Sequence, residues 1–90
     1  MSLYFTDKYN KIIELTKERI KHIYQHPEMQ NKLYLIENAI TNSDFIEQDL
    51  YRRNIIYYYK YLKEERKYLM VVVKLNNNHG KILTSYFVEK

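Results

Sequence analysis

Two apolar runs close the chain, Tyr68-Leu69-Met70-Val71-Val72-Val73-Lys74-Leu75 and Lys81-Ile82-Leu83-Thr84-Ser85-Tyr86-Phe87-Val88. Between them lies Asn76-Asn77-Asn78-His79-Gly80, which holds the only glycine. β-Branched and aromatic residues on both sides of an Asn/Gly cluster predict a β-hairpin. Such a hairpin cannot bury its apolar face alone, so the rest of the chain must supply further strands and a covering layer. Strict alternation puts Thr84 and Tyr86 on one face of the last strand, with Leu83, Ser85 and Phe87 on the other.

Upstream, Thr6-Asp7 reads as a helix start, the hydroxyl capping free amides and the acid sitting in the first turn. Tyr9, Ile12, Ile13, Thr16, Ile20, Ile23 and Tyr24 then follow helical spacing, which predicts a helix over about 6–25. Pro27 interrupts it and opens a second helix, over about 27–41, with Met29, Leu33, Ile36 and Ile40 as its stripe. Asn42-Ser43-Asp44 ends that helix. A short strand, Phe45-Ile46-Glu47-Gln48, and a long one, Arg53 to Tyr61, complete the set. On the long strand Arg53, Ile55, Tyr57, Tyr59 and Tyr61 share one face, and Arg52, Asn54, Ile56, Tyr58 and Lys60 the other.

This order predicts an α+β fold with two N-terminal helices packed on one face of a four-stranded antiparallel sheet (ααββββ). One domain spans residues 1–90. Its core takes Ile12, Ile13, Ile20, Ile23, Leu33, Ile36 and Ile40 from the helices, and Val71, Val73, Leu83 and Phe87 from the sheet. The other sheet face is left uncovered, a natural groove for a ligand.

Charge narrows the partner. Residues 43–51 carry Asp44, Glu47 and Asp49, whereas 52–67 carry Arg52, Arg53, Lys60, Lys63, Arg66 and Lys67 against Glu64 and Glu65. A basic stretch interleaved with tyrosines suits a polyanion; solvated Lys and Arg at a strand edge would give the same composition. There is no cysteine, hence no disulfide framework and no thiolate metal site. No apolar run is long enough for a membrane span, and Met1-Ser2-Leu3-Tyr4-Phe5 lacks the basic start of a secretory signal, so a cytoplasmic protein without a membrane partner is expected. No phosphate-binding loop, dinucleotide fingerprint or nucleophile elbow occurs, and three scattered histidines do not make a zinc site. Neither a metal nor another cofactor is expected.

Three stretches together resemble a known group. His22-Ile23-Tyr24-Gln25-His26-Pro27-Glu28 is similar to a helix-to-helix motif HI..HPE. Asn54-Ile55-Ile56-Tyr57-Tyr58-Tyr59-Lys60 is similar to an aromatic, basic strand. Tyr68 to Lys74 followed by Ile82-Leu83-Thr84-Ser85-Tyr86 is similar to a YLxVVVK…TxY ending. Their order and spacing resemble small phage- and mobile-element-associated domains of the barnase–EndoU–colicin–RelE-like nuclease group. The resemblance implies a RelE/barnase-like fold and a toxin-like, metal-independent ribonuclease that drives the ribose 2′-hydroxyl onto the adjacent phosphate. It makes His22 and His26 the acid/base candidates, Thr84 and Tyr86 the hydroxyl donors, and Arg53 and Lys60 the phosphate-binding candidates. RNA is the implied partner, with a protein inhibitor of antitoxin type as a second. The alternative is a non-catalytic RNA-binding or protein-interaction module on the same scaffold.

Overall fold

The first sixteen residues form a β-hairpin, which corrects the long N-terminal helix expected from periodicity. In the computed structural model, which describes residues 1–90, β1 (Ser2–Thr6) pairs antiparallel with β2 (Ile12–Thr16), with Phe5 opposite Ile13 and Leu3 opposite Leu15. Thr6-Asp7 opens a turn rather than a helix. The Asp7 carboxylate accepts the amide protons of Tyr9 (2.9 Å) and Lys11 (2.8 Å), and Asn10 takes the left-handed conformation that Asn tolerates. Residues Ile12 to Thr16 satisfy a helical stripe and a strand alternation equally well, and pairing with two other strands decides for the strand.

Helix α1 is only Lys17–Ile23. Its cap is Thr16, whose hydroxyl accepts from the Arg19 amide at 3.2 Å. Pro27–Met29 forms a single 3₁₀ turn, and α2 runs Leu33–Thr41. Then come β3 (Phe45–Gln48), β4 (Ile55–Leu62), β5 (Lys67–Asn76) and β6 (His79–Val88).

The fold is α+β, but its sheet has six strands in the order β1-β2-β6-β5-β4-β3, not four. It is also mixed: β2 pairs parallel with β6, Ile12 to Glu14 lying beside His79 to Lys81, while all other pairs are antiparallel. The four-stranded antiparallel ααββββ arrangement is therefore incorrect. The missing pair of strands is the N-terminal hairpin, and β6 runs through the sheet interior along its first residues rather than at an edge.

Both helices lie on one face. Ile13, Leu15, Ile23, Met29, Ile36 and Ile40 meet Tyr58, Leu69, Val71, Val73 and Ile82 there, all essentially without solvent contact. Ile20, Leu33 and Phe87 pack around this cluster. Two expected core residues are elsewhere. Ile12 is exposed because it alternates with Ile13 on β2. Leu83 is displaced by a bulge: consecutive β5 residues Val72 and Val73 pair with Thr84 and Ile82, leaving Leu83 as the extra residue. Ile82 fills the core position instead.

Gly80 is required for space. A Cβ there would sit 2.8 Å from Val73 Cγ1 and 2.9 Å from Ile13 Cδ1, so β2 and β5 approach β6 only over a bare backbone. The β5–β6 turn itself is carried by Asn77, with φ of 60°. Every buried polar side-chain atom has a partner. Asp7 accepts from the Tyr58 hydroxyl at 2.6 Å, tying the β1–β2 turn to β4, and the Ser85 hydroxyl donates to the Met70 carbonyl at 2.8 Å. No helix is long and apolar enough to cross a membrane.

Candidate functional site at the edge of β6

The bulge at Leu83 sets the chemistry of β6. Without it, alternation would continue from Ile82 so that Thr84 also faced the helices. With one residue inserted, Ser85 and Phe87 turn inward, and Thr84 and Tyr86 turn to the helix-free face. Thr84 lies opposite Val72, and Tyr86 opposite Met70.

β2 leaves β6 after Glu14, so beyond Lys81 the flank of β6 away from β5 is no longer held by a strand. Helix α1 and the turn after it run there instead. Arg19 reaches the strand from α1, its Nη1 donating to the Leu83 carbonyl at 3.4 Å. The chain leaves α1 through Tyr24, whose amide donates to the carbonyls of Ile20 and His22. His26 then takes an extended backbone (φ −86°, ψ 110°), as a residue preceding proline should. Its amide donates to the Ile23 carbonyl (3.0 Å), and its own carbonyl accepts from Met29 (2.9 Å). Thus fixed, the imidazole lies against the Tyr86 ring, centroids 5.9 Å apart and planes at 33°. Glu28 Oε1 is 3.9 Å from Nδ1 of the same imidazole. His26 and Tyr86 both keep solvent access.

Tyr86 and His26 terminate a longer row. The registers place Phe45, Tyr59, Met70 and Tyr86 side by side across β3, β4, β5 and β6 on the helix-free face. Phe45 stacks on Tyr59 (4.6 Å), and Tyr68 meets both edge-on at 5.6 and 6.3 Å. Tyr61 joins Tyr68 at 5.2 Å. Burial holds the Tyr59 phenol above its ordinary range. Lys90 lies over the Tyr59 ring at 4.9 Å and pairs with Glu47 at 2.9 Å. The result is an aromatic platform of stacked and edge-on rings beside one cation, with Tyr59 buried within it and Tyr61 exposed, in a row that ends at an imidazole.

The other expected site residues fall differently. His22 is exposed near the end of α1. Lys60 faces the helix side, where it pairs with Asp44 at 3.4 Å. The Tyr61 amide, at 2.7 Å, and then Lys60 hold the Asp44 carboxyl below its ordinary range. Arg53 precedes β4 in an exposed loop at the opposite end of the sheet from His26, its carbonyl accepting from Gln48 at 2.8 Å. Thus His26, Thr84 and Tyr86 belong to one region, whereas Lys60 and Arg53 join neither that region nor each other. The cation that does reach it, Arg19, is missed by a reading of strand composition, because its approach follows from the break between β2 and α1.

Neither family models, curated proteins nor solved structures give a significant match.

Proposed function

We propose that this chain is a metal-independent ribonuclease whose site lies along the free edge of β6, acting in the cytoplasm on single-stranded RNA. The observation that carries the reading is the His26–Tyr86 contact, which brings the HI..HPE stretch and the TxY ending to one place from opposite ends of the sequence. Histidine changes charge near neutral pH, so it can take a proton and give one back at working pH. In the proposed reaction His26 removes the proton of a ribose 2′-hydroxyl, whose oxygen forms a bond to the adjacent phosphorus. The bond from phosphorus to the 5′-oxygen breaks, and water supplies the proton to that leaving oxygen. The products are a 2′,3′-cyclic phosphate and a 5′-hydroxyl. Arg19 and the hydroxyls of Thr84 and Tyr86 are the fixed donors for charge gathering on the phosphoryl oxygens. On the platform, exposed Tyr61 and half-buried Tyr68 offer rings for flanking bases, with buried Tyr59 as their support.

Purified protein incubated with RNA in excess EDTA tests this, wild type beside His26→Ala, His22→Ala and Arg19→Ala. Loss of a positioned acid or base should slow cleavage roughly 10²–10⁴-fold while RNA is still bound. Activity equal to wild type in His26→Ala removes the mechanism. RNA binding without cleavage by the wild type would favour the aromatic platform as a binding surface alone.

A further inference from the structure

Two lysines occupy a place on the sheet that structure alone does not favour. Lys74 of β5 and Lys81 of β6 are direct cross-strand partners, and both are exposed on the helix-free face. Like charges directly opposite each other destabilise a sheet. Lysines that guard against aggregation sit on edge strands, but β5 and β6 are the two central strands of the six. Neither lysine forms an ion pair with a carboxylate. Glu14, beside Lys81 on β2, is held first by the Ser2 hydroxyl (2.8 Å) and faces His79 (3.6 Å), so it meets the Lys81 charge only at longer range.

The ground around them is concave and continuous. A groove of about 260 Å³ is lined by Lys74, Asn76, His79, Gly80, Lys81 and Leu83. A second, of about 270 Å³, shares Lys81 and Leu83 with it and reaches Thr16 and Arg19. Three cations therefore follow one trench, Lys74 to Lys81 to Arg19, with Glu18 as the one acid on its lining, and it ends where Arg19 meets the Leu83 carbonyl.

We infer that Lys74 and Lys81 form a second phosphate-binding site, holding the backbone of the same RNA strand beyond the scissile phosphate. The inference rests on the ribonuclease reading and adds the direction of the bound strand. RNA crosses the β5–β6 pair from the Asn76 end towards Tyr86. Lys81 lies roughly 10 Å along β6 from Thr84, so the paired lysines meet neighbouring phosphates rather than the reacting one. An anion placed between them removes the repulsion that the empty pair carries.

The test is binding of a fluorescein-labelled, 2′-O-methylated single-stranded RNA 12-mer, which this reaction cannot cleave, read by anisotropy over a range of salt. Wild type is compared with Lys74→Gln/Lys81→Gln and with Lys63→Gln/Lys67→Gln, which removes the same net charge at the other end of β5. Each phosphate contact to a single strand contributes about 0.7 to the slope of log affinity against log salt, so losing both should lower the slope by about 1.4. The control pair should leave the slope within error of wild type. The Lys74/Lys81 variant should also melt no lower than wild type, since it relieves repulsion. Equal slopes in the Lys74/Lys81 variant and wild type, or equal losses in both double variants, overturn this site. Cleavage of unmodified RNA that still depends on His26 would then leave the ribonuclease reading standing. A wild type that does not bind the 12-mer even at low salt overturns the site together with the strand path.

Discussion

Replacing Tyr58 by Phe removes one oxygen from the middle of the protein and leaves the ring in place. Tyr58 has no solvent contact, and its hydroxyl donates to Asp7 Oδ2 at 2.6 Å. Asp7 is itself buried, and its other oxygen is already committed to the amides of Tyr9 and Lys11. Tyr58→Phe therefore strands a carboxylate oxygen where water cannot replace the lost donor. A buried polar group left without its partner costs about 1–3 kcal/mol, towards the upper end when the group is charged. Against a net stability of roughly 5–15 kcal/mol for a single domain, that is a large share. For a chain of this size each kcal/mol moves the melting temperature by about 4–8 °C. Urea titration followed by circular dichroism should show a lower midpoint with unchanged slope. The bond has a second signature at high pH. Burial, and then the bond to Asp7 and its charge, push the Tyr58 phenol well above its ordinary range. The folded state thus favours the neutral phenol, a stabilisation fully present below about pH 10 and lost as pH rises beyond it. Tyr58→Phe should flatten part of that alkaline loss, the remainder belonging to Tyr57 and Tyr59, whose phenols are also raised. A Tyr58→Phe protein within about 0.5 kcal/mol of wild type, the range of an ordinary surface change, would refute the buried tie between the hairpin turn and β4.

Gly80→Ala should destabilise the protein by about 1–3 kcal/mol, because the added methyl meets Val73 and Ile13 in a packed core; a thermal melt within error of wild type would contradict the close approach of β2, β6 and β5. Asp49 organises the loop before β4 by accepting from the Tyr57 hydroxyl and from the amides of Tyr51 and Arg52, chiefly the first of which lowers its pKa to about 2. A depressed carboxylate contributes stability above its unfolded pKa of about 3.9 and loses it as pH falls through 2, so the melting temperature should fall over that window, and less steeply in Asp49→Asn.

The sheet half of the fold was legible because β4, β5 and β6 are long and bounded by turn residues, so alternation and breakers agree. The N-terminal sixteen residues were not. Ile12, Ile13, Thr16 and Ile20 match a helical face, while Phe5, Ile13 and Leu15 match a strand, and short runs of this kind do not discriminate. What decides is non-local: β2 lies between β1 and a strand more than sixty residues away. The Leu83 bulge was equally hidden, since alternation presumes that no residue is inserted, and its effect was to exchange Leu83 for Ile82 in the core. At the site, Thr84 and Tyr86 were legible as a pair on one strand face, and His26 only through the HI..HPE resemblance. Their meeting was not, because it depends on β2 ending where it does. Lys60 was read for its charge alone, and its pairing with Asp44 follows from the β3–β4 register.

The central claim is that the ribose 2′-hydroxyl is the attacking group, directed by side chains beside the free edge of β6. It is tested most directly with an RNA that the wild-type protein cuts, resynthesised with a single 2′-deoxynucleotide on the 5′ side of the cut, in excess EDTA. The account predicts that the unmodified RNA yields a 2′,3′-cyclic phosphate and a 5′-hydroxyl, and that the deoxy substitution abolishes cleavage at that bond alone. Cleavage of the deoxy-substituted bond at an undiminished rate would contradict it.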